Sequence, residues 1–487
     1  AEDFFRVSWR WLLQRTPEAI IELGVQSRYG NGEILLNDVS DGYREVTAAL
    51  HRVVLDSLRE FDREALSPQD RLSRDVYEWY LEDQLQGERY RLFEYPASSF
   101  ITSVPSNTEF FFTDIHPLDS EQDAREYLAR LRLVDNKFEQ LRASVAARAE
   151  AGIIEPAITL DWAIDALRSV SRTRVTSTDY YRRFNRDIDA VSELEPALAE
   201  ALRDEVKSVV DQEIQPAYGA LVADLEALRD RAPQAIGVGQ FEGGDEFYAW
   251  ALRHHTTSDL TAEQVHQLGQ AQLERVHREI RSAAKALGYN NRDDLVSLFE
   301  RIAADGGLLS GEDILETYEQ IVADAQGRLG EAFGQLPQQE VVVIGGSTGG
   351  FYVAGSEDGS RPGAFYAATV GQEASFIMPT LAYHEAVPGH HLQIALAQEQ
   401  PLPDFRRYTN YTAFVEGWAL YAERLAWELG WYQNDPYGDL GRLQFEAIRA
   451  TRLALDTGIH AYGWSWGEAV SFYQRNTGSS QRMAEGN

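Results

Sequence analysis

The chain has 487 residues, of which 44% are hydrophobic, and it contains no cysteine. Its 45 Lys and Arg residues against 77 Asp and Glu residues give a formal charge of −32, which disfavours binding to nucleic acid or to anionic membranes. Without cysteine, disulfides, thiolate ligands and cysteine nucleophiles are excluded, so His, Asp or Glu would have to bind any metal. We expect a peptide, a small molecule or a cation as partner, and the oligomeric state stays open.

The N-terminal stretch from 1 to 20 mixes charged and apolar residues and lacks the uninterrupted apolar core of a signal peptide. The sequence has no run of 18 apolar residues, so we expect no membrane span. On this basis we expect a cytoplasmic protein. The chain starts at Ala1 rather than Met, which leaves a removed leader open.

Apolar residues recur at three-to-four spacing over most of the chain, which predicts a mainly α-helical protein. Thr261 and Gln264, for example, form a capping box before one of the predicted helices. We expect one fold over 1–487, with a mostly helical lobe over 1–235 and a second lobe over 236–487.

The pattern changes between 341 and 370, where short β-branched and aromatic runs alternate with glycine-rich turns. The runs EVVVI, GGFYVAG and GAFYAATV predict one small sheet. This sheet leads directly into a histidine cluster, and the helical pattern resumes from about Tyr411. We therefore expect the sheet to lie next to the site.

The stretch LAYHEAVPGHHLQ, from Leu381 to Gln393, holds three of the chain's ten histidines. In a zinc-protease helix, H-E-x-x-H places two histidines one turn apart, and the glutamate polarises the zinc-bound water. Here His384 and Glu385 begin the pattern, but Pro388 stands where the second histidine belongs. The histidines could be structural residues around a helix kink, yet burying them without partners is costly, which favours a metal site.

Two histidines compete for the second ligand position. At about 100° per residue, a regular helix would bring His391 near the angle of His384, but about 10 Å along the axis. Pro388 removes a backbone donor and Gly389 tolerates unusual dihedral angles, so a bulge would bring His390 to the ligand position instead. We predict His384 and His390 as metal ligands, with His391 as the second choice.

A catalytic zinc site usually has a third protein ligand and keeps one position for water. The helix TAFVEGWALYAERLAWELG offers Glu416 and Glu423, which are seven residues apart and therefore on one face. Glu416 stands among Phe414, Val415 and Trp418, where an unpaired carboxylate would be costly to bury, so we predict it as the third ligand. Glu423 is the second choice, and a surface or salt-bridged role for Glu416 is the alternative.

Asp456 and His460 each fall within about 20° of Arg449 on a later helix, in an otherwise apolar segment. This stripe predicts a polar cleft wall. We predict His460 as a catalytic donor to a developing oxyanion, Asp456 as support for a histidine, and Arg449 as a substrate-binding residue. The alternative is a buried salt bridge of Asp456 with Arg449 or Arg452.

Four motifs occur in the order DGSRPGAFY, LAYHEAVPGHHLQ, FVEGWALYAERL and RLALDTGIHAYGWS. Together they resemble the large bacterial family catalogued as domain of unknown function number 885, over nearly the whole chain. The histidine block is the specific part of this resemblance. That family is similar in turn to helical gluzincin zinc peptidases such as thimet oligopeptidase and carboxypeptidase Taq.

The resemblance implies a zincin-like fold in which two helical lobes surround a deep cleft and the small sheet lies beside the metal. It implies His384, His390 and Glu416 as ligands of Zn²⁺ and Glu385 as the general base. Members of the family usually continue past AVSFYQRNTG with another helical segment, whereas this chain stops at Asn487. We therefore expect the C-terminus to be truncated.

Two further residues are predicted to bind substrate. The resemblance implies that the strand around Phe365 and Tyr366 borders the cleft, where a peptide could add as an extra strand. Arg361, in the turn DGSRPG, could bind a substrate carboxylate, with capping or an ion pair to Asp358 as the alternative.

We predict a zinc metallopeptidase of the oligopeptidase or carboxypeptidase type, which cleaves short or unfolded peptides. Zinc would activate a water molecule and Glu385 would take its proton. Two alternatives stay open. The first is a non-catalytic, metal- or peptide-binding helical scaffold with a degenerate motif, and the second is a zinc hydrolase of a non-peptide amide.

Overall fold

The computed structural model describes residues 1–191, 194–290 and 292–486. Most of these residues are helical and only a few short segments are strands, so the predicted mainly α class is confirmed. No helix in the described ranges combines the length and the apolar character that a membrane span requires. The chain divides into two compact units.

The first unit consists of Ala1–Gln234 with Pro403–Phe405 and is helical. Its α-helices, α1 to α12 in chain order, are Glu2–Leu13, Pro17–Glu22, Gln26–Tyr29, Asp41–Arg59, Pro68–Gly87, Val104–Phe110, Glu121–Leu131, Val134–Glu150, Ala157–Arg172, Asp179–Asp187, Pro196–Val209 and Gln215–Leu228.

Aromatic rings form much of the core of the first unit. Phe405 is fully buried, and its ring stacks on Tyr77 with centroids 4.3 Å apart. Phe5 and Trp9 of α1 pack against the same ring. These contacts explain why the short segment Pro403–Phe405 belongs to the first unit.

The second unit consists of Ala235–Leu402 and Arg406–Asn487. The remaining α-helices, α13 to α23, are Gly244–Thr256, Ala262–Ala286, Leu295–Gly306, Glu312–Arg328, Met378–Glu385, His390–Glu399, Asp404–Tyr408, Thr412–Glu428, Pro436–His460, Trp466–Thr477 and Gln481–Gly486. Of these, α19 begins in the first unit and ends in the second.

The two longest helices of the second unit, α14 and α21, pack closely together. The capping box predicted at Thr261 and Gln264 is present and begins α14. Gly269 permits the close approach, because a Cβ atom there would lie 2.9 Å from the carbonyl oxygen of Ala450 on α21. This pair of helices fixes the position of α21, which forms one wall of the site described below.

Among the described residues, five short strands form two small sheets. β1 (Leu308–Ser310) pairs antiparallel with β5 (Gln372–Ala374). The sheet that the sequence predicted consists of β2 (Val341–Gly346), β3 (Phe351–Val353) and β4 (Gly363–Ala368). β4 is its central strand, parallel to β2 and antiparallel to β3, which leaves β3 at one edge.

Candidate metal centre

Helix α17 carries the first two residues of the histidine motif. Pro379 lies in its first turn, where the missing N–H leaves no hydrogen bond unmade. Met378 and Ala382, one turn apart, pack in the hydrophobic cluster that includes β4. With this side packed on the sheet, His384 and Glu385 line a cavity.

The chain leaves helical geometry between Glu385 and His390, where α17 ends and α18 begins. Pro388 has no N–H to continue the helical hydrogen bonds, and the Val387–Pro388 peptide bond is cis. The Pro388 carbonyl accepts a hydrogen bond of 2.8 Å from the indole N–H of Trp418 on α20. This bond holds α20 against the break.

The break brings His384 and His390 face to edge, with ring centroids 4.7 Å apart and ring planes at 83°. Gly389 makes this approach possible, because a Cβ atom there would lie 1.8 Å from the carbonyl oxygen of His384. A residue with any side chain would therefore push the two ligand candidates apart.

We expect Gly389→Ala to lower the free energy of unfolding by about 1–3 kcal/mol, because the new methyl group must displace backbone. Chemical denaturation of the variant and the parent measures this difference. Gly327→Ala on α16 is the matched control, since a Cβ atom there meets nothing within 4 Å. The control should be neutral or stabilising by up to about 1 kcal/mol, and equal destabilisation by both changes would contradict the close approach.

His384, His390 and Glu416 form the one group of three potential metal ligands found among the described residues, with the ligand atoms all within 4.8 Å of one another. Nε2 of His384 lies 3.6 Å from one carboxylate oxygen of Glu416, and Nε2 of His390 lies 3.7 Å from the other. Glu385 lies beside them, with an oxygen 3.9 Å from Nε2 of His390.

These separations fit a zinc ion. Ligand atoms at about 2.0–2.1 Å from a tetrahedral ion lie about 3.4 Å apart. Each histidine nitrogen lies close to that distance from a different oxygen of Glu416, at 3.6 and 3.7 Å, and one ligand atom from each residue lies within 4.8 Å of the others. Two imidazoles with one carboxylate are also a donor set that catalytic zinc sites use. The residues present therefore fit the ion that the sequence predicted.

Glu423 and Arg449 stabilise the position of His384. Nδ1 of His384 donates a hydrogen bond of 2.8 Å to Glu423, which is 1% exposed and so shielded from solvent. The Arg449 guanidinium lies 3.2 Å from the same carboxylate oxygen. A carboxylate on Nδ1 fixes the tautomer that leaves Nε2 unprotonated for a metal. The sequence interpretation assigned this role to Asp456, but the carboxylate on Nδ1 is that of Glu423 on α20.

We expect Glu423→Gln to weaken zinc binding by about 10- to 100-fold, because the amide carries no charge to hold the Nδ1 proton. Competition against a chelator at fixed pH measures the change. Glu428 on the same helix is exposed and forms an ion pair with Arg424, so Glu428→Gln is the control and should leave zinc affinity unchanged. Equal affinity in both variants would reject the supporting role.

Burial sets the protonation of two site residues. It raises the pKa of Glu385 to about 7. Burial, with the charge of His384, lowers the pKa of His390 to about 4. A carboxylate whose pKa lies near neutral can both accept and release a proton, as a general base must.

Two carboxylates favour positive charge at His384. Burial would lower the pKa of His384, but the neighbouring carboxylates of Glu416 and Glu423 raise that pKa to about 9. The interaction with His384 is the main cause that lowers the pKa of Glu416 to about 2. A cation is therefore electrostatically favoured at the position where the three ligand atoms converge.

The ligand candidates open onto a cavity of about 480 Å³. Phe351 and Tyr352 of β3 form part of its wall, and Phe445 and Ile448 of α21 form another part. The sequence interpretation missed the β3 residues, because the edge position of this strand depends on pairing that local sequence does not reveal.

Glu416 and Glu423 have the opposite burial from that expected. The Glu416 side chain is 59% exposed and Glu423 is buried, although the sequence argument for Glu416 assumed a buried carboxylate. α20 turns its Glu416 end toward the cavity, whereas Ala419 and Ala422 next to Glu423 pack in the interior. Glu416 meets the histidines through its position, and the burial argument for it was wrong.

His391, the second choice for a ligand, lies outside the cluster. Its Nε2 donates to the Gln339 carbonyl oxygen at 3.1 Å, and its Nδ1 accepts from the Tyr352 hydroxyl at 2.9 Å. Both ring nitrogens are therefore engaged. Its hydrogen bonds join α18 to β3 through Tyr352 and to the segment before β2 through Gln339.

Asp456 and His460 do not line the cavity, contrary to the expected polar wall. They share a face of α21 with Arg449 but lie about 10 and 16 Å farther along the axis. Asp456 accepts a hydrogen bond of 2.6 Å from the Tyr248 hydroxyl. Nδ1 of His460 accepts one of 3.2 Å from the Val238 amide. Angle alone placed them at the site, and distance along the helix separates them from it.

Tyr366 and Arg361 also lie away from the cavity lining. Tyr366 is in β4, which has a partner on each side, so a peptide cannot add to that strand. Its ring stacks on Phe351 with centroids 4.8 Å apart. Arg361 lies in the turn before β4, where its carbonyl accepts a hydrogen bond of 2.8 Å from the Ser356 amide. The edge strand at the cavity is β3.

Residues 17–487 match the family described as "Bacterial protein of unknown function (DUF885)". The fold is similar to a crystal structure described as "the putative lipoprotein from Colwellia psychrerythraea", with a TM-score of 0.92 and 25% identity over 100% of this chain and 87% of that chain. A structure of "a putative lipoprotein of unknown function from Shewanella oneidensis" has a TM-score of 0.70 and 18% identity over 99% of this chain and 87% of that one, which shows the fold alone. No curated protein matches the chain.

Proposed function

The chain belongs to this bacterial family of unknown function, as its motifs predicted, and we propose that it is a zinc-dependent hydrolase that cleaves peptide bonds of short or unfolded peptides. The observation that carries the proposal is the convergence of His384, His390 and Glu416 beside the buried carboxylate of Glu385. We also propose the zincin-like character and the cleft between two helical lobes that the sequence resemblance implied.

In the proposed reaction, Nε2 of His384, Nε2 of His390 and the Glu416 carboxylate would hold the zinc ion. When bound, zinc supplies Lewis acidity that makes a water molecule reactive near neutral pH. Glu385 accepts the proton of the attacking water at a carboxylate oxygen and passes it to the leaving amine nitrogen. Tyr473 of the cavity wall takes the oxyanion-donor role that the sequence interpretation gave to His460, since the Tyr352 hydroxyl already donates to His391.

The edge position of β3 supports a peptide as the substrate. Phe351 and Tyr352 line the cavity, and β3 has β4 on one side only among the described strands. An extended peptide that adds to this edge would place its backbone next to the ligand histidines. The stacking of Tyr352 near His390, at 6.4 Å between centroids, connects this strand with the metal site.

Two other functions are tested by the same experiment. A non-catalytic scaffold would bind metal or peptide without turnover, and a hydrolase of a non-peptide amide would turn over other substrates. Incubation of the zinc-loaded protein with a peptide library and with small amides, followed by mass spectrometry, separates them. We expect peptide cleavage that a chelator abolishes and zinc restores. Cleavage of small amides alone, or no cleavage with zinc bound, would reject the proposal.

We also propose a place outside the cytoplasm, in contrast to the cytoplasmic location expected from the sequence. The support is the Colwellia psychrerythraea protein, whose description as a lipoprotein accompanies a TM-score of 0.92 over all of this chain. Fractionation of cells that express the native gene should find the protein with the envelope. Recovery in the cytoplasmic fraction would contradict this location.

A further inference from the structure

Two arginines of α21, Arg449 and Arg452, line the cavity of the candidate metal centre. A spacing of three residues places them on the same side of the helix, about 4.5 Å apart along its axis. Phe445 and Ile448 lie on this side too and contribute apolar surface to the same wall. The wall therefore combines positive charge with an apolar area.

The two arginines have different surroundings. Arg449 is held in place, because its guanidinium lies 3.2 Å from the buried Glu423 and 4.7 Å from the ring centroid of Phe445. Arg452 is an exposed residue of the cavity wall. Arg449 thus belongs to the support of His384, whereas Arg452 can be reached by a molecule that enters the cavity.

Charge distinguishes this wall from the rest of the molecule, whose net charge is −32. The carboxylates that line the cavity, Glu385 and Glu416, both lie within 3.9 Å of a histidine nitrogen. A ligand carboxylate that enters the cavity would therefore meet the positive charge of this wall.

We propose that Arg452 binds the C-terminal carboxylate of a peptide, so that the enzyme removes residues from the C-terminal end. This inference rests on the proposed function. A guanidinium pairs with a carboxylate through two parallel hydrogen bonds, which fixes the direction of the chain as well as its charge. Phe445 and Ile448 beside it favour an apolar residue at the C-terminal position.

The test measures binding separately from turnover. The zinc-loaded Glu385→Gln variant is titrated with N-acetylated tripeptides that end in phenylalanine, once as the free acid and once as the amide. A third peptide ends in glutamate and is amidated, which moves the carboxylate from the terminus to a side chain. We expect the free acid to bind at least about 10-fold more tightly than either amide, as expected for loss of a charged partner.

Arg452→Gln in the same background should abolish the difference between acid and amide. Arg475→Gln, an exposed arginine of α22 outside the cavity lining, should preserve it. Thermal unfolding of both variants verifies that they fold. A difference between acid and amide that survives Arg452→Gln would overturn the assignment.

Other results separate this inference from the proposed function. If the parent enzyme hydrolyses amidated and free peptides equally, the proposed function stands and the terminal anchor is rejected. Tight binding of the amidated glutamate peptide would assign Arg452 to an acidic side chain and also overturn the anchor. If the zinc-loaded protein binds none of the peptides, both proposals fail.

Discussion

Replacement of Glu385 by glutamine is expected to lower turnover by about 10²- to 10⁴-fold while the protein keeps its zinc. The amide has nearly the same shape as the carboxylate but cannot accept a proton from the attacking water. The carboxylate lies 3.9 Å from Nε2 of His390 without being one of the three convergent ligands, so its loss should leave metal binding intact. Turnover of a cleaved library peptide and zinc content are measured on the same samples.

Glu373→Gln provides a control for removing a half-buried carboxylate from this unit. Glu373 accepts a hydrogen bond of 2.6 Å from the Tyr318 hydroxyl, lies in β5 and does not line the cavity. Its replacement should leave turnover within a few-fold of the parent. Full activity of Glu385→Gln would reject the general-base role, and loss of zinc from it would assign Glu385 to the metal instead.

The second large effect is expected for His390→Ala, which should lose stoichiometric zinc and all zinc-dependent turnover. The change removes one of two imidazole ligands, and the remaining histidine and carboxylate cannot complete a tetrahedral site. Elemental analysis after dialysis against a limiting chelator measures the retained metal. Circular dichroism verifies that the helices are intact.

His391→Ala is the matched control, since it removes the neighbouring histidine of the same motif. Both nitrogens of His391 bond to the protein, so this variant should lose the hydrogen bonds with Tyr352 and Gln339 but keep most of its zinc. If His391→Ala loses the metal and His390→Ala retains it, the ligand assignment is reversed.

The sequence was sufficient to predict that the chain is mainly helical and that a small sheet precedes the histidines. The choice between His390 and His391 depended on a backbone break at Pro388 and Gly389. Proline has restricted backbone angles and glycine has permissive ones, so the break could be predicted from the identity of these two residues. The structure brings His390, rather than His391, to His384.

Other parts of the site depend on tertiary packing that local patterns do not encode. Helical angle placed Arg449, Asp456 and His460 together, but only Arg449 lies at the level of the ligands along α21. Glu416 and Glu423 share a face, and the depth of each is set by what packs on α20. The seven-residue spacing did place a candidate ligand and a candidate supporting residue on one face, since both lie beside His384.

The position of β4 within its sheet also depends on tertiary packing. Its buried, apolar sequence predicts a strand, but the order β2-β4-β3 makes it central and gives the edge to β3. The sequence interpretation named Arg452 only as an alternative ion-pair partner of Asp456. The place of Arg452 in the cavity wall depends on how α21 packs.

The most direct test of the proposed metal centre is the zinc content of the purified parent protein after removal of loosely bound ions. We expect about one zinc per chain, held by His384, His390 and Glu416, and a zinc content at background level in His384→Ala. A protein that binds no zinc when the ion is supplied, or that binds it equally well without His384, would contradict the metal centre and with it the proposed hydrolase.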